Sequence, residues 1–301
     1  MERTNFDPRA LDAQHYLLLD PARVEEEGAQ SWEKLPLHVL APSGFEAHAR
    51  HLPYLLAWQD LNAEQRTLVQ ELLLNPDKAI AAPMCVAVLQ TDALPGDVRR
   101  HLQHLLVPQF PGGGRGVFRF YDPVVLVHLG WMLDDRQRTV LFGPILTWTF
   151  PIEGRWFVAV PPSQGSSHVR FAPGADVWRR IARIGSLHAV LQTEQPWREE
   201  PALHGPQVEP WLIRAEGHSL FERDDVVAFA RHGLLKHARF DSHPKVIAAL
   251  KQSVGHPAHY RRTTSLWSDA DWQVIVRDLA SHPNVVHAST ANTHRLTQGA
   301  Q

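Results

Sequence analysis

The stretch from Val117 to Trp148 constrains the fold of this 301-residue chain more than any other. It opens on Val-Phe-Arg-Phe-Tyr-Asp-Pro, whose alternation reads as a strand. Val117, Arg119 and Tyr121 would share one face, with Phe118 and Phe120 on the other. Asp122-Pro123 then ends the strand and starts a helix. Proline suits a first helical position, and Asp122 is placed to accept the N–H of Val125 as N-cap. The residues through Leu133 are apolar on nearly every side, so this helix is expected to be buried. Phe142-Gly143-Pro144 turns the chain into a second apolar segment, Ile145 to Phe150.

The flanking sequence supplies more strands and helices. Strands are expected at 15–20, ending in a second Asp-Pro (Asp20-Pro21), and at 35–40, 53–58 and 84–89. A further one at 155–160 would form a hairpin with 145–150 across Glu153-Gly154. Asn62 and Gln65 form a capping box for a helix that carries Leu68, Val69, Leu72 and Leu73 and stops near Asn75-Pro76. Helices are also expected at 95–106 and 176–191. Residues 1–195 therefore read as an α/β lobe, a mixed sheet with flanking helices. Residues 196–210 hold Pro196, Pro201, Pro206 and Pro210 and read as a linker. Residues 211–301 carry only helical patterns and read as a smaller all-α lobe. There Ser219-Leu-Phe-Glu222 would open a helix ending at Gly233, and a shorter helix would begin at Ser242-His-Pro244. Ser268–Asp271 would cap the last one, with Trp267 and Trp272 as a hydrophobic staple.

A search for chemistry returns few candidates. The net charge is −2, with 19 Lys+Arg against 23 Asp+Glu in residues 1–200 and 11 against 9 beyond. That balance offers no electrostatic footprint for nucleic acid or an anionic membrane. Neither a signal peptide nor a membrane span is evident, so a cytoplasmic location is expected. The lone Cys85 reads as a buried thiol. There is no Gly-x-Ser-x-Gly elbow, and Gly112-Gly-Gly-Arg-Gly116 lacks the Gly-Lys-Ser/Thr of a phosphate loop. His48/His51 and His101/His104 have i, i+3 spacing but no third ligand in view. No metal, cofactor or catalytic residue is therefore expected. Arg119 and Asp122 read first as a helix cap and its ion-pair neighbour. A hydrolase using Arg119, Asp122 and His128 is the competing reading. Trp131, Trp148 and Trp156 read as core, whereas Trp197 and Trp211, on the linker and at its edge, are candidate partner anchors.

The run Arg119-Phe120-Tyr121-Asp122-Pro123, followed by Phe142-Gly143-Pro144-Ile145 and Trp148, resembles the signature of the type VI secretion effector chaperones, also called effector adaptors. The leucine-rich strand ending at Asp20 and the later Pro53-Tyr54-Leu55 are similar to that family's opening. The resemblance covers roughly residues 15 to 150. It implies a binding protein that holds a secreted effector and helps load it onto the spike-tip protein of the apparatus. It also implies an α/β lobe with the motif beside a more variable helical lobe, and no catalytic residue. A scaffold that binds only the spike tip remains open as a third reading.

Overall fold

In the computed structural model, which describes residues 1–20, 32, 34–74, 85–114, 116–163 and 169–281, seven strands form one sheet. They are β1 (Glu2–Thr4), β2 (His15–Leu19), β3 (His38–Val39), β4 (Tyr54–Ala57), β5 (Cys85–Gln90), β6 (Thr147–Ile152) and β7 (Arg155–Ala159). Their spatial order is β1-β7-β6-β5-β2-β4-β3, and every ladder among the described residues is antiparallel. The expected α/β class holds, with antiparallel pairing where a mixed sheet was anticipated.

β2 and β5 lie side by side at the centre, and both are apolar on both faces. Tyr16 and Leu18 enter one core, while Leu17 and Leu19 enter the other. That is the period of two, with each face covered. Between Leu18 and Leu19 the register shifts so that Leu19 pairs with Cys85 and Leu18 with Ala87. The extra residue, Val86, is a bulge that keeps Ala87 and Leu89 in the first core. Each fully buried leucine contributes about 1.5–3 kcal/mol.

The first core is closed by α2 (Pro95–Leu106), α3 (Pro123–Met132), α4 (Asp135–Phe142) and α5 (Ala175–Ala182). α1 (Ala63–Leu74) seats Val69 on the opposite core. Its capping box is present in both directions: the Gln65 N–H donates to Asn62 Oδ1 at 2.8 Å, and the Asn62 N–H to Gln65 Oε1 at 3.1 Å. The Asn75-Pro76 stop and the Met84 strand start lie outside the described residues. The β6–β7 hairpin turns at Glu153 and Gly154, with φ of 49° and 71° as a type I′ turn requires. The expected single helix at 176–191 is two, α5 and α6 (Ile184–Leu191), meeting at Arg183.

By its contacts the chain divides into Met1–Gln207 and Val208–Gln301. The division falls inside the segment 196–210 that the sequence suggests as a linker, but that segment is helical. It forms α7 (Gln195–Glu199) and most of α8 (Pro201–Gly217). Pro201 takes the first helical position, while Pro206 and Pro210 are exposed, so water can reach the carbonyls their missing N–H groups leave unbonded. Gly205 explains why packing wins: a Cβ there would stand 2.9 Å from the Trp131 ring and 3.1 Å from His128 Nδ1. Within the first unit, the start of α8 at Gly205 is pressed directly against α3.

The second unit continues with α9 (Arg223–Leu235), α10 (Pro244–Ser253), α11 (His259–Thr264) and α12 (Asp269–Ser281). Phe229, Phe240, Tyr260 and Trp272 pack at its centre, with ring centroids 4.8–6.4 Å apart. Two sequence expectations change here. Ser219, with φ of 60°, ends α8: its N–H donates to Glu216 and that of Leu220 to Ala215, a Schellman closure. Glu222 then caps α9 alone, accepting the Asp225 N–H at 3.1 Å. α9 also runs past Gly233 to Leu235, because this glycine makes room for Trp211 rather than stopping the helix. The last helix does start as expected, with Ser268 and Asp271 capping each other and Trp267 5.1 Å from Trp272.

Candidate functional site

β2 is followed by a carboxylate. Asp20 is completely buried, and Arg119 donates to its Oδ2 from Nη2 at 2.6 Å. The same Nη2 lies 3.6 Å from Oδ2 of Asp122, and the guanidinium sits 5.4 Å from the Tyr121 ring centroid. A buried carboxylate stripped of its cation would leave an uncompensated charge in the core, so Asp20 fixes Arg119 from beneath. Burial works against the guanidinium's charge, but Tyr121, Asp20 and Asp122 together outweigh it and raise the Arg119 pKa.

The segment 117–121 is not a strand and joins no ladder of the sheet, in which β5 pairs with β2 and β6. The Phe118 N–H donates instead to the carbonyl of Leu106 at 2.9 Å. The alternation survives as far as Phe120. Phe118 and Phe120 are buried in the first core and Val117 and Arg119 face a groove, but Tyr121, which borders that groove, is itself fully buried in the same core. Asp122 caps α3 as expected, though through the Val124 N–H (3.0 Å), with Val125 bonded to the Asp122 carbonyl. Pro123 takes the first helical position and is buried. Asp122→Ala is expected to cost about 1 kcal/mol, the usual value of such a cap, read as a lowered urea midpoint with an unchanged slope.

Gly143 and Pro144 have structural work of their own. Gly143 has φ 54° and ψ −121°, the first central position of a type II′ turn closed by the Ile145 N–H to the Phe142 carbonyl at 3.0 Å. The Pro144 carbonyl accepts the buried Thr91 hydroxyl at 2.7 Å, tying this turn to the end of β5. Beneath Gly143 lies the His101 imidazole, whose Nε2 donates to the Leu141 carbonyl at 3.0 Å. Burial brings its pKa down to about 4, against the opposing pull of Leu141. His101 is therefore a packing residue rather than half of a metal pair. Among the described residues no group of three or more His, Cys, Asp or Glu side chains is placed to hold a metal ion. Cys85 is buried, and its thiol pKa is pushed up to about 12 by desolvation.

His128 is fully buried on α3, and its Nδ1 accepts the Trp131 indole N–H at 3.1 Å. Burial first, then His188, brings its pKa down to about 3. Trp148 is fully buried, Trp131 lies under Arg180, and Trp156 packs 4.4 Å from Phe6 with the rings tilted by 45°. Trp197 is half-buried on α7. Trp211 lies on α8 with its ring against Gly233, where a Cβ would come within 2.3–2.5 Å. It also lies 6.1 Å from Phe240, so its ring packs within the second unit instead of standing on a linker.

The groove faces Arg119. Phe45, His48, His51 and Leu52 form one side, Val117, Arg119 and Tyr121 the other, around about 260 Å³. His48 and His51 project from the short 3₁₀ turn Glu46–His51, and His51 Nε2 accepts from Arg50 Nε at 3.0 Å. A larger hollow of about 360 Å³ in the second unit, bordered by Lys251, His256 and His259, contains no motif residue. The ion pair below the groove escaped sequence reading because Asp20 and Arg119 lie 99 residues apart. The available signal was a carboxylate immediately after an unbroken apolar strand.

Residues 15–140 match DUF4123, a domain of unknown function. This family is associated with type VI secretion effector adaptors. The DUF4123 match opens at the first residue of β2 and closes inside α4, so it contains both ends of the Asp20–Arg119 ion pair and the whole Arg119–Pro123 run. Gly143 and Pro144 lie just beyond it. No curated protein and no solved structure matches the chain. No helix among the described residues is long and apolar enough to cross a membrane.

Proposed function

We propose that this protein is a cytoplasmic adaptor that binds a type VI secretion effector and helps load it onto the spike-tip protein. The observation that carries the reading is the DUF4123 match over residues 15–140, which covers the Asp20–Arg119 pair and the motif around it. The motif residues serve the fold: Asp122 caps, Arg119 neutralises Asp20, and Phe120 and Pro123 are buried. That use favours a scaffold for gripping another polypeptide over a reaction centre. A hydrolase using Arg119, Asp122 and His128 is disfavoured because His128 sits inside the core, uncharged until about pH 3.

Co-expression with the products of the neighbouring reading frames tests this. A large toxin-like protein and a spike-tip protein are expected to co-purify with the tagged chain. Recovery of neither, or turnover of generic hydrolase substrates that is lost in folded Asp122→Ala, would overturn the reading. Trp211→Ala is a poor interface probe because it empties the space over Gly233. Trp197→Ala is the cleaner variant, expected to weaken effector capture while leaving the urea midpoint unchanged.

A further inference from the structure

The groove that Arg119 faces has three features that converge on one kind of occupant. His48, His51 and Arg119 bring nitrogen donors to its walls beside the Tyr121 phenol, and among the described residues no carboxylate lines it. Asp20 holds Arg119 through Nη2 alone, and among the described residues no hydrogen bond engages its Nε or Nη1. These donors sit at the rim of a side chain that is 42% exposed. His51, accepting from Arg50 through Nε2, has its Nδ1–H left to donate. The backbone is also open. The Phe118 N–H faces Leu106, so in a chain of period two the neighbouring groups of Val117 point the other way. No hydrogen bond engages the Val117 N–H or C=O among the described residues. Finally, about 260 Å³ is below the usual 300–1,000 Å³ of small-molecule sites, while suiting individual side chains.

We propose that this groove takes an extended acidic segment of a partner polypeptide. The segment adds as a strand along Val117–Arg119, sets an aspartate or glutamate on the open edge of Arg119, and seats an apolar neighbour between Phe45 and Val117. Main-chain hydrogen bonds would supply affinity and the carboxylate would supply register. The buried Asp20 is then a positioning residue that aims the guanidinium. This rests on the adaptor reading and names the chemistry of the segment gripped.

The test uses the full chain and a displayed library of random peptides. Enriched binders are expected to carry Asp or Glu with apolar residues at alternate positions. Replacing that acid by Asn or Gln should weaken binding about tenfold or more, as losing one charge-assisted contact does. Arg119→Gln should do the same but also disturbs Asp20, so two variants outside the ion pair carry the decision. His51→Glu puts a like charge in the groove, and Val117→Pro removes an N–H the fold does not use. Both should stay folded and lose binding about tenfold or more. No enrichment of acidic peptides, or equal binding by both variants, overturns the proposal. If that happens while the effector still co-purifies, the adaptor reading stands and only the groove is wrong. Acidic peptide binding without any effector capture would sink the adaptor reading instead.

Discussion

Gly143→Ala is expected to destabilise the first unit by about 2–5 kcal/mol. Two costs add. An alanine at φ 54° pays about 1–2 kcal/mol for the left-handed backbone. Its Cβ would also stand 2.3–2.6 Å from the His101 ring, and overpacking of a closed core costs about 1–3 kcal/mol. His101 cannot easily yield, because it is buried and donates to Leu141 from across the helix pair. Urea unfolding of the single and double variants separates the two terms. In Gly143→Ala/His101→Ala the clash is gone, so the double variant should cost less than the sum of the singles. Strict additivity would mean that the ring is not what makes glycine necessary here.

Acid should weaken the fold well before the carboxylates titrate. His101 and His128 are buried and neutral, with pKa values lowered to about 4 and about 3 by desolvation. In the unfolded chain both return to about 6.5. The unfolded state therefore takes up protons first, so stability fully present above about pH 6.5 is lost as the pH falls toward the folded values. At pH 5 each group should cost about 2 kcal/mol relative to pH 7.5, or about 4 together. His232 in the second unit, lowered to about 3 mainly by burial, adds the same tendency there. Urea midpoints at the two pH values measure the loss. His128→Gln keeps an acceptor for Trp131 and removes one titration, so its pH dependence should be shallower. Identical midpoints at both pH values would show that these histidines are not buried neutral bases.

The legible parts of this molecule are those whose cause lies within a few residues. Asn62–Gln65, Ser268–Asp271 and the Asp122-Pro123 start are caps, satisfied by N–H groups two or three positions away. The Glu153-Gly154 hairpin and the Phe142–Ile145 turn depend on residues that tolerate positive φ. The apolar runs of β2 and β5 were legible as strands, and their two faces enter two cores. The groove was half visible: the alternation put Val117, Arg119 and Tyr121 on one face, but nothing nearby specified what they would look onto.

By itself the sequence determined which segments are helix or strand wherever a cap, a turn or an alternation settles the matter locally. It also set the sidedness of residues 117–120, though not of Tyr121, which is buried with Phe118 and Phe120. Tertiary structure decided that those residues pair with no strand and that the Phe118 N–H goes instead to the Leu106 carbonyl. It decided that the proline-rich segment is helix, because Gly205 lets α8 close on Trp131 and His128. It made Gly233 a seat for Trp211 instead of a stop, and it brought Asp20 under Arg119. Each of these outcomes is an approach between residues distant in the chain, and local propensity carries no record of such distances.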